Sequence, residues 1–231
     1  MTTKKYWESS IIEFTKLVKE EKTKRNIGLL GSSFEIFPNV FSPIHSSDTA
    51  WFAKKIIPLV GGKKILEIGS GSGVIACLAA IHGATSVVAT DINPDAINNI
   101  LSNAKLHSLN ISIRIGNVFD PILKHELFDI IFWNHPFYFS TKKANKDDFI
   151  SLSVYDQKYH SLKEFFINGK LHLEKNGQLL LGTSNIARIN LIKKFARDYK
   201  YKTCLLEKTE VPVFKEKKVK MDLRLYSFRS L

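Results

Sequence analysis

Residues 63–83 read KKILEIGSGSGVIACLAAIHG, and the rest of the chain falls into order around them. KKILEI is short, bounded and apolar at its end, as a buried strand is. Gly69, Gly71 and Gly73 then break the apolar text, which resumes at helical length and stops at Gly83. A strand that passes through a glycine loop into a helix can turn tightly and bring backbone N–H groups close to a ligand lying over the helix start. The spacing is informative: a dinucleotide fingerprint GxGxxG requires glycine at 74, where this chain has Val74. A nucleotide-dependent oxidoreductase is therefore disfavoured.

Outward from this unit, strand and helix alternate. SVVAT (86–90) is a strand, and NPDAINNILSNAKLHSLN (93–110) is a helix with Pro94 in its first turn, where the missing N–H is not needed. ISIRI, FDIIFW, a helix over about residues 160–173, GQLLLGTS, the helix NIARINLIKKFARDYK and strands near YKTCLLE and MDLRLYSF complete the series. Such text predicts an α/β fold: a mainly parallel sheet with helices on both faces. Upstream, Trp7, Ile11, Phe14, Leu17 and Val18 form the stripe of an amphipathic helix over residues 4–24. IGLLGSSFEIF reads as a hairpin, and HSSDTAWFAKKIIPLVGG as a helix with a Pro-Gly-Gly stop. The organisation expected is an N-terminal helix and hairpin extension over residues 1–60 and one α/β domain over 61–231.

Three further features bear on chemistry. Glu67 sits two residues before Gly69, and Asp91 ends the second strand in VVATD. An ionised carboxylate there can accept from both hydroxyls of a ribose, each charge-assisted bond contributing roughly 1.5–3 kcal/mol. The third is FDIIFWNHPFYF (128–139), an apolar run that stops at Asn134, His135, Pro136 and Phe137.

LEIGSGSG, TDINPDAI, GNVFD and NHPF, in this order over about residues 40–185, resemble the class I S-adenosylmethionine-dependent methyltransferases, in the small-domain and HemK-like group. The resemblance implies a Rossmann-like, seven-stranded sheet with an antiparallel last strand and S-adenosyl-L-methionine across the carboxyl ends of the first strands. By matching position, Glu67 would lie near the methionine amino group and Gly69, Gly71 and Gly73 under the cofactor. Asp91 would meet the ribose with Ile92 beside it, and Asn117 and Val118 would border the adenine. The segment PNVFSPIHSSDTAWFAKKI lies where the group carries an F/L-x-P…T segment closing over the cofactor, which makes Phe41, Pro43 and Thr49 candidates for contact.

The tetrapeptide is similar to the N-x-P-F/Y signature of enzymes that methylate planar nitrogen. An amide or exocyclic NH2 has a delocalised lone pair and is a poor nucleophile until acceptors hold its hydrogens. Asn134 Oδ1 and the backbone carbonyl of His135 are the expected acceptors, Pro136 restricts the preceding residue to extended geometry, and Phe137 offers a stacking face. His135 departs from the proline usual at that position; it is expected to touch the acceptor through its backbone, with its ring facing outward or packed, and a direct base role is the lesser alternative.

The formal charge of +12 fits either an acidic partner or the compositional bias of a chain generally rich in Lys, Ile and Asn. RNA or another nucleic acid is the acceptor expected first, a protein glutamine or asparagine side chain or a small molecule the alternative, and a non-catalytic cofactor-binding module the reading from another class. Lys142, Lys143 and Lys146, and the basic run FKEKKVK (214–220), are candidate phosphate contacts or solvated surface. Cys77 and Cys204 are expected to be buried thiols, and the histidines share no ligand spacing, so no metal is expected. No run approaches the length of a membrane span, so the expectation is a cytoplasmic protein without a membrane partner.

Overall fold

The structure, a computed structural model, describes residues 3–142, 145–212 and 220–231. The N-terminal stripe forms α1 (Thr3–Glu20), which ends four residues before the expected Lys24. A hairpin follows, β1 (Arg25–Leu29) and β2 (Ser32–Ile36), turning through Leu30 and Gly31, both at positive φ, as two-residue hairpin turns require. Next come α2 (Asp48–Ile56), β3 (Lys64–Ile68), α3 (Val74–Ile81), β4 (Ser86–Asp91) and α4 (Pro94–Leu106). Then β5 (Ser112–Ile115) and β6 (Phe128–Asn134) precede β7 (Tyr138–Ser140), α5 (Phe149–Leu152) and β8 (Tyr155–Gln157). The chain continues with α6 (His160–Gly169), β9 (Leu173–Ser184), α7 (Ile189–Asp198), β10 (Tyr201–Pro212) and β11 (Lys220–Ser230).

Seven strands pair in the order β10-β11-β9-β6-β3-β4-β5. The pairs β9–β6, β6–β3, β3–β4 and β4–β5 are parallel, whereas β11 runs antiparallel to both β9 and β10. The last strand is thus the antiparallel one, as expected. Successive side chains of a strand face opposite ways, so β6 sends Ile130 and Phe132 into one core and Ile131 and Trp133 into the other. Burial on both faces is why FDIIFW reads as a continuous apolar run rather than an alternating one.

The first core joins α2, α3 and α4 to the sheet and takes in Phe34 and Ile36 of β2 and Phe52 and Ile56 of α2. Most of the segment 25–60 is therefore packed on the sheet. Two buried amides of α4 hold β2 in place: Asn99 and Asn103 donate to the Glu35 carbonyl at 2.7 and 2.8 Å and accept from the N–H groups of Phe37 and Glu35. The second core packs α6 and α7 on the opposite face.

Three expectations are corrected. The stretch YFSTKKANKDDFISLSVYDQKYHS after Phe137, expected from its lack of periodicity to be a polar loop completing the acceptor pocket, contains β7, α5 and β8, elements of three or four residues that leave no periodic trace. Strand β9 begins at Leu173, before the expected GQLLLGTS. Cys77 is buried, but Cys204 is exposed on β10 at the sheet edge, where one side chain in two faces water. Lys143 and most of the FKEKKVK run lie outside the described residues.

Candidate active site

A cleft of about 1710 Å³ lies over the carboxyl ends of β3, β4 and β6. Its floor is the glycine loop, with Gly69, Gly71 and Gly73 at φ +59°, +55° and +76°. Gly73 is the strictest of the three: an added Cβ would stand 3.0 Å from two side-chain carbons of Ile100 and 3.1 Å from its Cα. Left-handed backbone at a non-glycine residue costs about 1–3 kcal/mol before any clash. Gly73→Ala is therefore expected to lower the thermal midpoint measurably and to weaken cofactor binding, both readable in a thermal-shift titration; an unchanged midpoint would contradict this packing.

Two buried carboxyls stand at the ends of adjacent strands. Glu67, 4% exposed, accepts from the Ala76 N–H at 2.8 Å in the first turn of α3. Burial pushes its carboxyl up to about 8, nearby Asp91 adds to the rise, and the bonds from Ala76 and Ser70 oppose it. Asp91 accepts from the N–H of Gly71 at 2.8 Å and of Asn93 at 2.9 Å, so it ties the glycine loop to the start of α4. Burial raises its carboxyl too, against those backbone bonds. Each of its oxygens keeps a second lone pair for a ligand hydroxyl.

Ile92 is 41% exposed beside Asp91, and Asn117 and the left-handed Val118 follow β5 on the same cleft wall. Phe41, Pro43 and Thr49 line the cleft from the side of β2 and α2. A buried acid, a tight glycine loop, a second acid and an apolar edge form a row that fits an adenosine carrying an amino-acid tail. Among the described residues no cluster of His, Cys, Asp or Glu is arranged to hold a metal ion.

The tetrapeptide occupies the other half of the cleft. Asn134 is the last residue of β6 and pairs with Gly182 of β9, so the sheet fixes its backbone. Its Nδ2 donates to Asp48 Oδ2 at 2.9 Å, and its buried Oδ1 has no partner among the described residues. The ring of His135 turns into the second core, edge-on to Trp133, Phe137 and Tyr159, with Nε2 2.9 Å from Thr183 Oγ1. Burial pushes the imidazole down to about 3, so it is neutral and serves packing. Phe137 is held by its carbonyl, which accepts from Tyr159 Oη at 2.6 Å; the same oxygen of Tyr159 accepts from the Arg188 N–H.

The roof comes from α1 and from the β7–α5–β8 segment. Tyr138 Oη donates to Glu8 at 2.8 Å, Lys19 pairs with Asp148 at 2.7 Å, and Phe14 and Val18 pack on Ile150 with Phe41 and Val154 beside them. Neither Asp48 nor Tyr159 was singled out by role in the sequence. A signal for Asp48 exists in the text SSDT at a helix start, but it reads as a cap.

Strand order, the antiparallel β11 and the row of Glu67, glycine loop and Asp91 define a class I S-adenosylmethionine-dependent methyltransferase. The chain belongs to the methyltransferase small domain family, whose model matches residues 33–201. It is 31% identical over 127 residues to a Methanocaldococcus jannaschii protein provisionally named a protein N5-glutamine methyltransferase, covering 55% of this chain and 62% of that one. With the release factor glutamine methyltransferase of Aquifex aeolicus it shares 28% identity over 193 residues, covering 75% of this chain and 68% of the relative. The chain thus spans less than two thirds of the first of these relatives. The fold is also that of the T. thermophilus 16S rRNA N2 G1207 methyltransferase, solved with AdoMet and guanosine: TM-score 0.63 and 16% identity, over 90% of this chain and 50% of that one.

Proposed function

We propose that this protein transfers a methyl group to a planar NH2 nitrogen. One observation carries the reading: Asn134, which lines the cleft where β6 ends, has a buried amide oxygen without a partner among the described residues. When bound, S-adenosylmethionine supplies an electrophilic methyl group on a positive sulfur. Glu67 takes the amino group of its tail, Gly69, Gly71 and Gly73 lie under it, Asp91 and Ile92 meet its ribose, and Asn117 and Val118 border the base. Phe41, Pro43 and Thr49 complete that half of the site. Asn134 Oδ1 and the carbonyl of His135 hold the two acceptor hydrogens, turning the nitrogen lone pair out of conjugation, while Pro136 and Phe137 set the loop and the stacking face. Bound S-adenosylmethionine would supply the methyl group, Asn134 and His135 would hold the acceptor nitrogen facing it, and the proton that nitrogen must lose would pass to water; orientation of this kind can supply about 7–11 kcal/mol. No strong base is required, in keeping with a neutral His135.

The exocyclic amine of a base in RNA or another nucleic acid is the acceptor the geometry favours. Exposed Lys146, Lys158 and Lys163 border the cleft, none with a carboxylate partner among the described residues, and unneutralised lysines attract phosphate. A protein glutamine side chain is the second reading, favoured by the two sequence relatives. Of the 1–60 extension, α1 then roofs the cleft while most of 25–60 packs on the sheet of the 61–231 domain, and the setting proposed is the cytoplasm. Among the described residues no helix is long and apolar enough to cross a membrane. Tritiated S-adenosylmethionine and cell extract decide between acceptors: label released by nuclease supports the nucleic-acid reading, and label that resists nuclease but yields to protease replaces it with the glutamine reading.

A further inference from the structure

We propose that Asp48 is the positioning residue that sets which end of the Asn134 side-chain amide faces the acceptor. This assignment rests on the planar-nitrogen reading above and adds the device that makes it work. A terminal amide has two orientations of nearly equal shape, related by a half-turn, and only one presents oxygen to an incoming NH2. The other presents NH2 to NH2, which repels. Something in the fold must choose.

Asp48 is suited to choose because it can only accept. It is 2% exposed, at the first position of α2, where the helix dipole favours a negative charge. Its Oδ1 is already held by the Thr49 N–H at 2.7 Å and by Ser46 Oγ at 2.6 Å, which fixes the carboxylate plane. Oδ2 then meets Asn134 at 2.9 Å across 86 positions of sequence. An ionised carboxylate has no hydrogen to offer, so the atom facing it must be Nδ2. Oδ1 is left over, buried and without a partner among the described residues, on a side chain whose residue lines the cleft. A charge-assisted bond of this kind biases the two orientations roughly ten- to a hundredfold.

The test is a reciprocal exchange. In Asp48→Asn the single carbonyl oxygen is claimed by the Thr49 N–H, so the new NH2 faces residue 134 and the Asn134 amide turns over to meet it. In the double variant Asp48→Asn/Asn134→Asp, the new carboxylate accepts from residue 48 with one oxygen and presents the other to the acceptor. The assay is initial incorporation of tritium from labelled S-adenosylmethionine into acid-insoluble material of an extract from cells lacking this protein. Cofactor affinity and thermal midpoint are measured alongside.

Asp48→Asn is expected to lower the rate about 30- to 100-fold with cofactor affinity within about twofold, and the double variant to regain at least about tenfold of the loss. Asp48→Asn at the wild-type rate, or a double variant no faster than the single, overturns the assignment. If the single variant does not fold, the double decides: folded and active supports the proposal, folded and inactive overturns it. The two levels separate cleanly. Asn134→Ala at the wild-type rate removes the planar-nitrogen reading itself, whereas inactive Asn134→Ala beside active Asp48→Asn removes only the role of Asp48.

Discussion

Asn134→Ala is expected to lower the initial rate of methyl transfer by about 10²–10³-fold, the range seen when one preorganised partner of a reacting group is removed. On the proposed reading the residue supplies the oxygen that holds an acceptor hydrogen, and that oxygen has no partner among the described residues. Removing it leaves the acceptor nitrogen conjugated and poorly aimed. Cofactor affinity, governed by β3, β4 and the glycine loop, should change by less than about threefold, because sites without shared partners behave nearly independently. The comparison therefore needs both measurements: single-turnover transfer and equilibrium cofactor binding. Transfer at more than about a third of the wild-type rate would show that Asn134 does not work on the acceptor.

The second large effect concerns Glu67. With its carboxyl pushed up to about 8, it is mostly protonated in the ligand-free protein at neutral pH. An ammonium group beside it favours the ionised form, so binding releases a proton below about pH 8. Affinity for S-adenosylmethionine should accordingly rise with pH up to about 8 and then level off. Glu67→Gln should abolish that slope and weaken binding above pH 8 by roughly 10- to 100-fold, the worth of one charge-assisted bond.

Stability moves the other way. Below the ordinary carboxylate range Glu67 is protonated in both folded and unfolded chains. Between about 4.5 and 8 the unfolded chain ionises while the buried acid does not, so stability falls across that window and is constant above it. Glutamine keeps an acceptor for the Ala76 N–H without this cost. The variant should thus melt at a higher temperature than the wild type at pH 8.5 and lose the advantage at pH 4. Calorimetric titration in buffers of different ionisation enthalpy counts the released proton; a count near zero at pH 7 would sink the account.

How much of this could be read beforehand depends on the range of the interaction. The glycine loop, the strand before it and the acid ending β4 lie within one strand–helix–strand unit, and local spacing reports them because local backbone geometry makes them. NHPF was legible for the same reason, since a buried strand must end where its apolar run ends. Asp48 was not, because its partner is a tertiary neighbour and SSDT is indistinguishable from an ordinary helix start. Tyr159 was hidden in another way: its left-handed backbone (φ +54°) and full burial aim the hydroxyl at Phe137, and no spacing rule encodes that. Strands β7 and β8 have three residues each, too few for period two to show.

The roof has a consequence in time. Helix α1 is the earliest element of this sequence, yet its partners Tyr138 and Asp148 lie 130 and 129 positions downstream of the residues they hold. An 18-residue helix alone in water is marginal, and closing so long a loop carries an entropy penalty that only the finished contacts offset. During synthesis α1 can meet Phe41 early, but its contacts with Tyr138, Asp148 and Ile150 wait until the chain has passed them. One side of the cleft is thus begun first and completed only after the glycine loop and Asn134 have been made.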